Sequence, residues 1–200
     1  MSIALITGSS GLIGSASAYF FASKGLEVVG IDNNFRQRFF GKEGSTIWQK
    51  QKLKNKIKKY KHFNTDIRNY SNLEKIFKKF KKKISVIIHC AAQPSHDYGK
   101  NFPMLDFEIN AKGTLNMLEM TKLYCPEAVF IHMSTNKVYG DNPNNLNIIE
   151  KSKRWELRNI DKNYNGIKEN FSLDNSTHSF FGVSKVYSDL IAQEYGKNIG

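Results

Sequence analysis

The stretch that most limits what this chain can become is "TGSSGLIG", residues 7–14. A run of strand length, "SIALIT", precedes it, and a helical pattern over 12–24, ended by Gly25, follows it. The three glycines serve different needs of such a junction. Gly8 permits a tight turn, Gly11 lets backbone approach a pyrophosphate, and Gly14 lets the helix pack on the sheet. A strand, glycine turn and helix in this order open a parallel α/β sheet.

The alternation continues along the chain. Strand-length apolar runs occupy 2–7, 26–32, 62–67, 84–92 and 128–134, and helical patterns occupy 47–59, 71–80, 106–124 and 181–197. A polar loop is expected after the second strand. "SNLE" at 71–74 has the form of a capping box, with Ser71 and Glu74 satisfying each other's backbone donors. Strands separated by helices imply a doubly wound, Rossmann-like parallel sheet with helices on both faces. The segment 141–177 is polar and long for a connection, which marks a functional stretch.

Ligands of such sheets bind beyond the carboxyl ends of the strands. Gly8, Asp32, Asp66, Ala91 and Thr135 each follow a strand. The acidic Asp32 decides the cofactor, because a carboxylate there accepts the ribose hydroxyls of NAD and repels the 2′-phosphate of NADP. Arg36 and Arg38 lie near enough in sequence to oppose that preference.

The net charge of +12 raises the question of a nucleic-acid partner. Residues 50–83 hold fourteen Lys/Arg against Asp66 and Glu74, so this one segment carries the whole excess, 14 − 2 = 12. Its lysines flank Ile57, Phe63, Phe77 and Phe80 as the solvated faces of core-facing elements do. No nucleic-acid motif accompanies them, and an RNA-binding protein using this segment is the least supported reading. No apolar run is long enough to span a membrane, and the amino terminus lacks a basic leader. Cys90 and Cys125 stand singly in apolar segments without metal spacing, so reduced thiols in the cytoplasm, and no metal, are expected.

Several motifs recur in the order of one family. "TGSSGLIG", "NTDIRN", "HCAAQPSH", "NAKGTLNMLE", "STNKVYGD" and "FGVSK" together resemble the extended short-chain dehydrogenase/reductases, the NAD-dependent epimerases and dehydratases of nucleotide sugars. "DFEIN", "GTLN" and "STNKVYGD" are most similar to the CDP-paratose (CDP-tyvelose) 2-epimerase branch. The resemblance implies a cofactor wall of Gly8, Ser10, Gly11, Leu12, Ile13, Gly14, Asp32, Asn33, Asp66, Ile67, Ala91, Ala92 and Gln93, with Asn110 in the central helix and Lys185 on the nicotinamide ribose. It also implies a homodimer. It implies further that residues 1–200 are an NAD-binding domain without the carboxyl-terminal region that reads the sugar; the ending "EYGKNIG" agrees, since another buried strand is expected there.

The implied catalytic residues are Thr135, which would hold the sugar oxygen being oxidised, and Lys185, which would lower the pKa of a tyrosine four residues before it. That position is Phe181. A phenyl ring transfers no proton, and losing a general base costs about 10²–10⁴-fold. Of the other candidates, His178 stands closest to the helix start, ahead of His96 and Tyr164. Tyr187 falls on another helix face, and Tyr139 belongs to packing. Where 4,6-dehydratases carry an acid pair after the threonine, this chain has Asn136 and Lys137, which disfavours dehydration. The expectation is an NAD-dependent nucleotide-sugar epimerase; the alternative is a catalytically silent NAD- or nucleotide-sugar-binding or sensing protein on the same fold.

Overall fold

The computed structural model describes residues 2–198. Five parallel strands form one sheet in the order β3-β2-β1-β4-β5. They are β1 Ile3–Thr7, β2 Glu27–Ile31, β3 Tyr60–Phe63, β4 Ile84–His89 and β5 Val129–His132. Side chains alternate across a strand, so Ile3 and Leu5 of β1 join one core and Ala4 and Ile6 the other. Helices α4 (Tyr70–Phe80) and α7 (Gly113–Tyr124) cover the first face with Leu73, Phe77, Met117 and Met120. Helices α1 (Leu12–Ser23) and α3 (Ile47–Lys56) cover the second with Ala18 and Leu53. Burying a side chain such as Leu5 or Ile87 contributes about 1.5–3 kcal/mol, and both faces of a parallel sheet must be covered in this way.

Four expectations need correction. The polar loop after β2 contains a short helix, α2 Arg36–Phe40. The third strand lies earlier than 62–67, because Tyr60 pairs with Val28 and the ladder ends where Asp32 N–H donates to the Phe63 carbonyl. The capping box does not form. Asn69, not Ser71, caps α4 by accepting from Asn72 N–H at 3.0 Å. Glu74 is drawn instead to the Tyr124 hydroxyl at 2.7 Å and to Lys78. The long helix begins before residue 106, as α6 Pro103–Phe107, and passes through a π turn, Glu108–Lys112, into α7.

The stretch 141–177 carries a small antiparallel hairpin, β6 Ile148–Glu150 and β7 Trp155–Leu157. Its ends are tied together, since the Ser176 hydroxyl accepts from the Asp141 and Asn142 N–H groups. The last helix, α8 Phe180–Asn198, packs on α5 (His96–Asn101), α6 and α7. Among the described residues no helix is long and apolar enough to cross a membrane.

Candidate cofactor and active site

The glycine turn is built tightly. Gly8 has φ +61°, and a Cβ there would lie 2.8 Å from the Ala91 nitrogen. A Cβ at Gly14 would lie 2.1 Å from the Gly8 carbonyl oxygen. Only bare backbone fits, which leaves the start of α1 open to a ligand. Asp32 braces this turn from β2: its carboxylate accepts from Ser10 N–H at 3.0 Å and from Asn34 N–H at 2.8 Å. The Ser10 hydroxyl is buried and has no protein partner.

A cavity of about 270 Å³ opens beside the turn. Gly8, Gly11, Leu12, Ile13, Gly14, Asp32, Asn33, Asp66, Ile67, Ala91 and Ala92, all expected from sequence, line it. Phe35, Arg36, Phe39 and Thr46 line it too; Arg36 was weighed from sequence against Asp32, but the other three were not expected, because they come from the segment read as a polar loop. The aromatic run in "NNFRQRFF" was the available signal. At the far wall Arg68 grips Asp66 with two parallel bonds, at 3.0 and 2.8 Å, and Asn33 donates to the same carboxylate. Burial pushes the Asp66 carboxyl up, but the Arg68 bonds outweigh it and hold its pKa below the usual value.

Buried polar chains fix the wall from behind. The Thr114 hydroxyl donates to the Asn110 carbonyl at 2.6 Å, so it accepts from His89 Nε2–H at 3.1 Å. His89 Nδ1 then accepts from the Thr7 hydroxyl at 2.7 Å, and Thr7 Oγ1 accepts from Ala91 N–H at 3.1 Å. The Ala91 backbone is thus held by a chain beginning in α7. Burial, reinforced by His132 and Lys185, lowers the His89 pKa well below its usual value and keeps the ring neutral.

Gln93 and Asn110 lie in a second buried network rather than among the side chains lining the cavity. Gln93 N–H donates to Asn110 Oδ1 at 2.8 Å, and the Gln93 amide donates to Asp106 at 2.5 Å. Asn110 donates to the Ser184 hydroxyl at 3.0 Å, and Ser184 donates to Asp106 at 2.5 Å. Burial raises the Asp106 pKa despite these donors. The network locks α8 to the loop after β4.

Lys185 is buried and donates to the Met133 carbonyl at 2.7 Å, beside the Thr135 turn. Burial pulls its pKa down to about 8. One turn earlier Phe181 is only 9% exposed. A Cβ on Gly99 of α5 would lie 3.3 Å from the Phe181 Cβ, so the two helices are in close contact there. A Cβ on Gly182 would lie 2.9 Å from the Lys137 carbonyl, which brings the start of α8 against the turn carrying Thr135, Asn136 and Lys137. The Thr135 hydroxyl accepts from Lys137 N–H at 3.4 Å.

The other proton-carrier candidates make contacts of their own. His178 donates from Nε2 to the Leu173 carbonyl at 3.0 Å, and its Nδ1 is buried without a partner. Its ring anchors the long loop. The α8 start is capped by Ser179, which accepts from Gly182 N–H at 2.9 Å. His96 and Tyr164 are exposed. The Tyr187 ring packs near Phe107, and Tyr139 packs edge-on to Phe171.

Comparison with known proteins agrees with this geometry. The family model described as GDP-mannose 4,6 dehydratase matches residues 5–155. The chain is 32% identical over 200 residues to CDP-paratose 2-epimerase of Salmonella typhi, covering 98% of the chain and 53% of that protein. It is 32% identical over 141 residues to UDP-glucuronate 4-epimerase of Thermodesulfobacterium geofontis, covering 70% of the chain and 41% of that protein. The chain therefore spans about half the length of these curated relatives. Among solved structures, UDP-glucose 4-epimerase of Thermus thermophilus in complex with NAD superposes with a TM-score of 0.69 at 25% identity, covering 99% of this chain and 52% of that one. With the family model matching more than half of its residues, the chain belongs to the NAD-dependent epimerase/dehydratase family that the GDP-mannose 4,6 dehydratase model describes.

Proposed function

We propose that the whole protein is an NAD-dependent nucleotide-sugar epimerase and that this chain supplies its cofactor half. The observation that carries the proposal is the single cavity shared by the side-chain-free glycine turn, Asp32, Asp66 and Ala91–Ala92. The residues fit a dinucleotide. Bare N–H groups at the start of α1 and the unpartnered Ser10 hydroxyl suit a pyrophosphate, and Asp32 retains lone pairs for two ribose hydroxyls. The bound nicotinamide supplies a hydride acceptor and donor. Thr135 orients the sugar oxygen, and the Lys185 charge lies beside it. Asn136 and Lys137 offer no acid pair for eliminating water, which favours epimerisation over dehydration. The named relatives act on CDP- and UDP-linked sugars, so a nucleotide sugar is the substrate class. Its work belongs in the cytoplasm, where Cys90 and Cys125 stay as the free thiols they are in the fold.

We also propose a homodimer. Phe180, Val183, Tyr187 and Leu190 form an exposed stripe along α8, with Met104 and Phe107 of the neighbouring segment beside it. An apolar face of two helices suits a second copy of itself.

The second reading, a silent cofactor-binding or sensing protein, is favoured by one fact: Phe181 fills its slot against α5 and leaves no proton carrier there. Turnover of wild type, Phe181→Tyr and His178→Ala on CDP- and UDP-sugars separates the two. A gain in Phe181→Tyr approaching 10²–10⁴-fold supports the epimerase. Tight NAD binding with no turnover in any of the three leaves the sensing protein.

A further inference from the structure

The segment 35–45 does more than line a wall of the cavity. Its neck is closed by Asn34, which adopts a left-handed conformation with φ 58°. Asn34 Oδ1 accepts from the Thr46 N–H at 2.7 Å and from the Thr46 hydroxyl at 3.1 Å. Its amide donates to Gln37 Oε1 at 2.7 Å. The segment also packs on itself, with the Phe35 and Phe39 rings 5.1 Å apart and Arg36 stacked 4.5 Å over Phe40. A loop with a bonded neck and its own small core moves as one piece.

From this base the Phe39 ring reaches Tyr98 of α5 and meets it edge-on at 4.7 Å. Tyr98 is backed by Phe102 at 4.5 Å. The contact joins the segment after β2 to the segment after β4. Those strands flank β1 in the sheet, so it bridges the carboxyl end of β1, where the glycine turn lies. Phe39 lines the same cavity as Ala92 and Pro94 from the other side of the bridge.

We propose that residues 35–45 form a flap over the bound dinucleotide, latched by the Phe39–Tyr98 ring contact, and that these two rings set how long the cofactor stays. The proposal rests on the dinucleotide reading above. It also suits that chemistry, because oxidation followed by re-reduction at one site requires one cofactor molecule to remain through both halves. The latch is tied to the reactive side of the cleft as well. Gly99, next to Tyr98, lies against Phe181 and the Asp106 carboxylate.

The test is the release rate of NADH from the whole protein, chased by excess NAD and followed by fluorescence. Phe39→Ala and Tyr98→Ala are each expected to release NADH about tenfold faster. The double variant should be no faster than Phe39→Ala alone, since the ring contact is already lost there. Tyr98→Phe keeps the ring and should match wild type. For an alanine variant with a lowered melting point, Phe39→Leu replaces it, with about threefold faster release expected. Unchanged release, or additive effects of the two alanines, would overturn the latch while leaving the dinucleotide site standing. Failure of wild type to bind NADH at all would overturn both.

Discussion

Asp32 supports the glycine turn before it meets any ligand, through its bonds to Ser10 and Asn34 N–H. Asp32→Ala should therefore have two effects. It should narrow the preference for NAD over NADP, read by calorimetric titration with both. It should also lower stability by about 1.5–3 kcal/mol, because bonds to a charged acceptor are lost. Tighter binding of NADP than NAD to wild type would show that Arg36, which lines the same cavity, outweighs the carboxylate. Lys185 carries a pH prediction. Its folded pKa of about 8 lies below the unfolded value, so between the two the unfolded chain binds more protons. On this account stability rises with pH from about 8 to about 10.4. Burial raises the Cys90 and Cys125 pKa to about 11 and about 12, which opposes this slope above about pH 9, so it is read as a difference: the denaturant midpoint of wild type should gain on that of Lys185→Met as pH rises across the range. At this scale the sequence was most readable where chemistry is local: the glycines and Asp32 announce themselves by spacing, whereas Thr135 was singled out by the resemblance of "STNKVYGD" to its family. The Gln93–Asn110–Asp106–Ser184 network does not, because its bonds join residues up to 78 positions apart.

Helix α4 shows how two caps compete. "SNLE" satisfies the capping-box pattern, yet the helix starts at Tyr70 on Asn69. The difference lies in Glu74, whose partners Tyr124 and Lys78 hold it away from the helix start. Tyr124 belongs to α7, so the outcome is set by tertiary packing that no local pattern contains. Asn69→Ala should cost about 1 kcal/mol and Ser71→Ala less than about half of that, measured by urea denaturation. The reverse ranking would restore the capping box. The shifted third strand and the short helix α2 were missed for related reasons. Tyr60 is drawn inward by the Ser9 hydroxyl at 3.0 Å, and α2 is held by Asn34 and by aromatic contacts rather than by periodicity.

For the molecule as a whole, the doubly wound sheet followed from the alternation of runs, and its two cores from the pleat of each strand. The apolar stripe on α8 has a direct test. Leu190→Glu should shift the protein from dimer to monomer in sedimentation, with NAD binding kept, because Leu190 is exposed and lines none of the cavity. The charge excess, lastly, has a direction. In a parallel sheet all strands begin at one rim and end at the other. Lys56, Lys58 and Lys59 lead into β3 and Lys81–Lys83 lead into β4, whereas the cavity opens where strands end. These six lysines form a positive patch on the rim opposite the cavity, and that patch pulls an approaching anion toward the wrong end. Raising ionic strength from about 0.01 to about 0.15 M shortens the screening length from about 30 to about 8 Å and weakens that misdirected pull. Cofactor association, followed by stopped flow, should hold steady or quicken with salt, opposite to a ligand guided in by charge. A strongly basic chain would then capture its anion by the shape of a turn, against the pull of its own lysine patch.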